Sequence, residues 1–160
     1  MKPEIYEITS EHDLINMMNY YYHYWDRGSN NFYLDLNKDK FDFLEKIIYD
    51  LSYYFFKELD IELDENNHTI EFWGKNGTFA GKNYIHFDKD ETIYKKTGEI
   101  NQPLMTCIIY LNDNIYSTLI TELDVNDYKY KKFDEENRLY LSFPKKNTCL
   151  CFDGSYLHGM

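Results

Sequence analysis

Arginine is almost missing from this chain: Arg27 and Arg138 are the only two among 160 residues. Proline is nearly as sparse at three and glycine reaches only seven, which excludes collagen-like and Pro/Gly-rich linker chains. No stretch approaches the roughly 20 apolar residues of a membrane span. The opening MKPEIYEITSEHD has no apolar core of a secretory signal. A soluble, intracellular protein with no membrane partner is expected. Only three cysteines occur, Cys107, Cys149 and Cys151, an odd number that suits a reducing compartment better than a disulfide framework. Positive charge is also short. Seventeen Lys plus Arg against 28 Asp plus Glu leave a net charge of −11, which repels phosphate backbones and makes nucleic acid an unexpected partner.

What remains is ordinary globular material. Hydrophobic residues at 43% in a chain of this length can build one core without staples, so a single domain over 1–160 is expected. The 17 tyrosines, with many Asn, Ile and Lys, are what AT-biased codon usage produces. A tyrosine therefore bears on chemistry only where a motif singles it out.

Ser10-Glu11-His12-Asp13 has the form of a helix N-cap with an acid at the third position, and predicts a short helix to about Tyr22. From 41 to 59, apolar residues at Phe43, Leu44, Ile47, Ile48, Leu51, Tyr54, Phe55 and Leu59 follow the helical rhythm. After Asp60 short runs rich in Ile, Tyr, Phe, Thr and Cys alternate with polar breaks. They predict strands near 68–73, 83–87, 104–111, 118–123, 139–143 and 148–152, with 124–137 a charged loop. Helices followed by strands give a mostly β, α+β chain: residues 1–60 as helical support, 61–160 as a β core.

Two apparent metal motifs have simpler readings. Asp35-x-Asn37-x-Asp39 opens like a calcium loop, but Lys40 and Lys46 occupy the positions that need Gly and Glu. Cys149-x-Cys151 has no second cysteine pair at a useful distance, and two small thiols on one face of a core strand is the simpler account. His12, His23 and His68 read as surface or structural residues, and Trp25 and Trp73 as core or core-edge ones.

Tyr84-Ile85-His86-Phe87-Asp88 is the informative stretch. Side chains two apart on a strand share a face, so His86 and Asp88 can converge. A hydrogen-bonded structural pair meets the same spacing. The apolar run 148–152, a turn and then His158-Gly159 can return a third ligand. Two histidines and a carboxylate on one side of a metal form the facial triad of non-haem Fe(II) oxygenases, which leaves coordination positions open.

His86-x-Asp88, the strand Thr106-Cys107-Ile108-Ile109-Tyr110-Leu111-Asn112, Pro144 before an apolar strand ending Phe152-Asp153-Gly154, and His158-Gly159 stand in one order. Together they resemble the Fe(II)/2-oxoglutarate-dependent dioxygenases, in the prolyl-hydroxylase-like branch, over about the second half of the chain. Asp88-Lys89-Asp90-Glu91 also resembles a subgroup whose iron-ligand motif continues in those residue types.

The resemblance implies a double-stranded β-helix, the cupin-like jelly roll, with N-terminal helices packed on it. It implies Fe(II) on His86, Asp88 and His158, with 2-oxoglutarate and O2 as cosubstrates and ascorbate as an accessory reductant. The implied reaction hydroxylates a protein or peptide side chain, prolyl among them, or a small molecule, and releases succinate and CO2. Tyr110 would donate to the C5 carboxylate of 2-oxoglutarate; Tyr84 and Thr118 are further cosubstrate candidates. The family usually places an Arg or Lys about ten residues after the second histidine, on the last barrel strand; this sequence ends before that position. Lys95, Lys96 and Arg138 are candidates to replace it. The alternative expectation is a non-catalytic metal-binding or interaction module on a degenerate jelly roll. Oligomeric state is not set by the sequence.

Overall fold

A computed structural model describes residues 1–7, 32–64, 66–73, 85–113, 116–132 and 137–159. Its elements run β1 (Glu4–Glu7), β2 (Phe32–Leu34), α1 (Phe43–Glu58), β3 (Ile70–Phe72), α2 (Glu91–Thr97), β4 (Met105–Tyr110), β5 (Thr118–Thr121), α3 (Val125–Tyr130), β6 (Leu139–Ser142), β7 (Thr148–Asp153) and β8 (Leu157–Gly159). Every strand pairing is antiparallel. The chain is a β-rich mixture of helices and strands. Among the described residues, no helix is long and apolar enough to cross a membrane.

Two compact units result, one within Glu11–Thr78 and one formed by Met1–Ser10 with Phe79–Met160. In the first, α1 carries the expected helical rhythm. Asp42 accepts a hydrogen bond from the Glu45 N–H, and the Glu45 carboxylate accepts one from the Asp42 N–H, a closed capping box. Leu44, Phe55 and Phe56 are its buried side chains. β2 pairs with β3, and the Phe32 and Phe72 rings stack at 5.5 Å across that pair.

The second unit holds two facing sheets, ordered β1-β7-β4 and β6-β5-β8. Tyr110, Leu150 and Phe152 from the first and Ile120 from the second form the core between them. β7 lies between β1 and β4, and residues 148–152 are buried on both faces, which is why they read as an unbroken apolar run. Its even-numbered residues Thr148, Leu150 and Phe152 point into the core; Cys149 and Cys151 point to the other face.

The strand expectations at 68–73, 104–111, 118–123, 139–143 and 148–152 are met within two residues or so at each end. Of the run 83–87, residues 83 and 84 lie outside the described residues, and His86 forms an isolated bridge to His158. The predicted helix to Tyr22 also lies outside them. Three features differ from expectation. β1 and β2 are strands inside the segment read as helical support. The stretch 124–137 is not all loop: Asp124 accepts from the Asn126 and Asp127 N–H groups and caps α3. α2 was not foreseen either, although Asp90 caps it in the same manner and Gly98 closes it at φ +75°. Elements of three to seven residues carry too little periodicity to be read; pairing and capping make them.

The turn between β7 and β8 positions His158. Asp153 accepts from the Ser155 N–H and hydroxyl, and Gly154 passes so close to Pro103 that an added Cβ would lie 2.2 Å from its carbonyl oxygen. Backbone cannot yield as a flexible side chain does. Gly154→Ala is therefore expected to destabilise the protein by about 1–3 kcal/mol, the usual cost of overpacking, measured as a lowered urea midpoint at unchanged slope.

Candidate metal centre

His86 and His158 face one another as a hydrogen-bonded antiparallel pair. The His86 N–H donates to the His158 carbonyl at 2.8 Å, and the His158 N–H donates back at 3.0 Å. Directly opposed residues put their side chains on one face, and the imidazole centroids lie 4.7 Å apart. β8 also pairs with β5 through Ile120 and His158, so this bridge extends the sheet from β6 and β5 across β8 to residue 86.

Asp88 enters from the same segment. Its Oδ1 lies 3.5 Å from His86 Nε2 and its Oδ2 lies 3.5 Å from His158 Nε2. One donor atom from each of the three residues can be chosen so that all lie within 4.8 Å of one another. Metal–ligand bonds of about 2.0–2.2 Å put adjacent donors roughly 3 Å apart, so a small inward movement of each side chain suffices to hold an ion. His158 and Asp88 are largely buried, with side chains 7% and 11% exposed, while His86 is 38% exposed and leaves the site open on its side.

The surrounding contacts fix the donors. Thr106 Oγ1 donates to Asp88 Oδ2 at 2.8 Å. His158 Nδ1 lies 3.0 Å from the Tyr156 carbonyl oxygen. A carbonyl only accepts, so the proton of that hydrogen bond sits on Nδ1, and Nε2 is the atom turned to Asp88. With Nδ1 so engaged, Nε2 of a charged ring donates to the Asp88 carboxylate, and Nε2 of a neutral ring can offer its lone pair to a cation held beside that carboxylate. Phe152 packs edge-on against the His158 ring at 4.9 Å and holds its orientation. Burial pushes the Asp88 carboxyl upward, but the His86 hydrogen bond, the His158 charge and the Thr106 hydroxyl outweigh it and hold the group below the ordinary carboxylate range.

A second polar group lies in the same core. Tyr110 Oη and Thr118 Oγ1 are 2.8 Å apart, both buried. Thr118 is paired in register with Ser142. Ser142 Oγ is buried without a hydrogen-bond partner of good geometry, yet near enough to the Tyr110 phenol to influence it. Burial raises Tyr110 above the usual phenol value, which keeps it protonated and a donor. Tyr110 and Thr106 share the inward face of β4.

Of the six residues singled out in the sequence, His86, Asp88 and His158 come together, and Tyr110 and Thr118 meet in the core. Tyr84 lies outside the described residues. Lys95 and Lys96 are exposed in the last turn of α2, and Arg138 is exposed and acts on the Tyr140 hydroxyl. In the stretch 88–91, Asp90 is the cap of α2, while Lys89 lies 3.5 Å from the Tyr94 ring centroid and 3.8 Å from Glu91. Thr106, Tyr156 and Ser142 had no signal of their own in the sequence. Their importance comes from strand register, which pairing alone decides.

No known family model, curated protein or solved structure matches the chain.

The outer contacts of the centre can be tested without touching a donor. Thr106→Val keeps the shape of the side chain and removes the hydrogen bond to Asp88. It is expected to weaken Mn(II) binding by about 10- to 100-fold, the usual cost of losing such a partner. Isothermal titration of folded protein, checked by circular dichroism, reads that loss.

Proposed function

We propose that the protein is an Fe(II)- and 2-oxoglutarate-dependent hydroxylase acting on a protein or peptide side chain, prolyl among the candidates, on a double-stranded β-helix. The single observation that carries the proposal is the convergence of His86, Asp88 and His158, with both imidazole Nε2 atoms 3.5 Å from the Asp88 carboxylate and His158 Nδ1 held against the Tyr156 carbonyl. That is the donor set of a facial triad, with one open side. Strand order supports the fold assignment: residue 86, β8, β5 and β6 make one sheet, and β4 beside β7 faces it.

When bound there, Fe(II) with 2-oxoglutarate and O2 supplies oxidative decarboxylation to succinate and CO2, coupled to hydroxylation of a substrate C–H bond. His86, Asp88 and His158 would hold the metal; Thr106 and the Tyr156 carbonyl keep the carboxylate and one imidazole aimed at it. Tyr110, Thr118 and Ser142 offer hydroxyls that fit the far carboxylate of the cosubstrate, and the Ser142 oxygen is the group still in want of a partner. Phe152, Leu150 and Ile120 are the buried apolar side chains packed beside these groups.

A metal-binding module without turnover is the second reading. It draws on the exposed positions of Lys95, Lys96 and Arg138, none of which is buried with Tyr110.

The two readings separate in one set of measurements. The hydroxylase is expected to form succinate from 2-oxoglutarate, and to lose that activity in His86→Ala and in Asp88→Ala. Calorimetric titration of the Mn(II)-loaded protein with 2-oxoglutarate should show binding. A hydrogen bond to a charged group contributes about 1.5–3 kcal/mol, so Tyr110→Phe should weaken that binding by about 10- to 100-fold. Metal binding with no affinity for 2-oxoglutarate would establish the module instead.

A further inference from the structure

The three cysteines of the chain meet on the face of the β1-β7-β4 sheet opposite the His–Asp–His group. Cys107 on β4 stands directly across from Cys151 on β7, and Cys149 is two residues along the same strand. Alternation places all three on one face, while Thr106, Ile108 and Tyr110 and Thr148, Leu150 and Phe152 line the other. Cys107 Sγ and Cys151 Sγ are 2.9 Å apart, Cys151 Sγ and Cys149 Sγ 3.5 Å, and all three sulfurs lie within 4.8 Å of one another. Cys149 and Cys151 are fully buried and Cys107 is exposed, so the cluster is rigid on one side and reachable from solvent on the other.

We propose that Cys107, Cys149 and Cys151 form a second metal site, which binds a thiophilic ion of the zinc class through three thiolates and leaves a fourth position open. Zinc–sulfur bonds of about 2.3 Å set tetrahedral sulfurs roughly 3.8 Å apart; separations of 2.9 and 3.5 Å, with all three sulfurs within 4.8 Å, need only a slight outward opening to reach that spacing. Soft thiolate donors select such ions over the hard cations suited to a carboxylate-containing site. A disulfide would join only two of the sulfurs and give no role to the third; an ion uses all of them. Metal binding would release the thiol protons to solvent.

Anaerobic titration of the reduced, full-length protein with Co(II) tests the assignment. Cobalt bound to thiolate gives an intense sulfur-to-metal charge-transfer absorption that histidine and carboxylate ligands cannot produce. The band is expected to saturate at one thiolate-bound cobalt per chain and to disappear when Zn(II) displaces it. It should survive in a His86→Ala, Asp88→Ala double variant, which separates this site from the proposed iron centre. It should be lost in Cys149→Ser and in Cys107→Ser; the second change, at an exposed residue, guards against misfolding of the first. No charge-transfer band in the reduced wild-type protein, or a band unaltered in folded Cys107→Ser, would overturn the proposal.

Discussion

The reciprocal backbone hydrogen bonds between His86 and His158 make one site out of residues far apart in the chain. Closing so long a loop costs conformational entropy whatever happens at its ends. Here the cost is met by sheet pairing rather than by the side chains that must converge. β8 is held by β5 through Thr121, Ile120 and Leu119, and the His86 bridge adds to the free edge of that strand. The two imidazoles are therefore placed first by backbone; Phe152 then braces the His158 ring and Thr106 fixes the Asp88 carboxylate. Preorganisation of this kind gathers the three side chains through the backbone rather than through one another.

β7 extends the same economy to both of its faces. As the middle strand of its sheet it has no exposed edge, and its residues alternate between two environments. Phe152 supports His158 on one side; Cys149 and Cys151 approach Cys107 on the other. One strand thereby supplies the wall of a nitrogen-and-oxygen donor group and most of a sulfur donor group, separated by the thickness of the sheet. Ligand hardness follows face, so ions of different character would sort between the two sides without competing.

The parts of this arrangement that were legible in the sequence are those governed by local pattern. The rhythm of Leu44, Phe55 and Phe56 announced α1, and the spacing of His86 and Asp88 announced that they could act together. His158 could be suspected only from its place after an apolar strand and a turn. The role of Cys107 was not visible, because two cysteines on β7 gain a third only through the register of β4, which no local signal encodes. Thr106 and Ser142 were hidden for the same reason: each is one Thr or Ser among several, distinguished by what lies opposite. α2 and α3 escaped because their capping aspartates, Asp90 and Asp124, sit in charged stretches where an acid carries little information.

The polar groups described inside the core are neutral hydroxyls rather than ions. A lysine or arginine buried beside Tyr110 would be an unpaired charge, and such a charge is costly to keep out of water. Lys95 and Lys96 instead occupy the last turn of α2, where positive charge complements the helix dipole. Tyr110, Thr118 and Ser142 are neutral, and two of the three satisfy each other in the empty core. Hydroxyls hold a carboxylate less firmly than a guanidinium does. Should the proposed cosubstrate bind beside them, these hydroxyls would meet its carboxylate without a lone charge having to wait for it in the core.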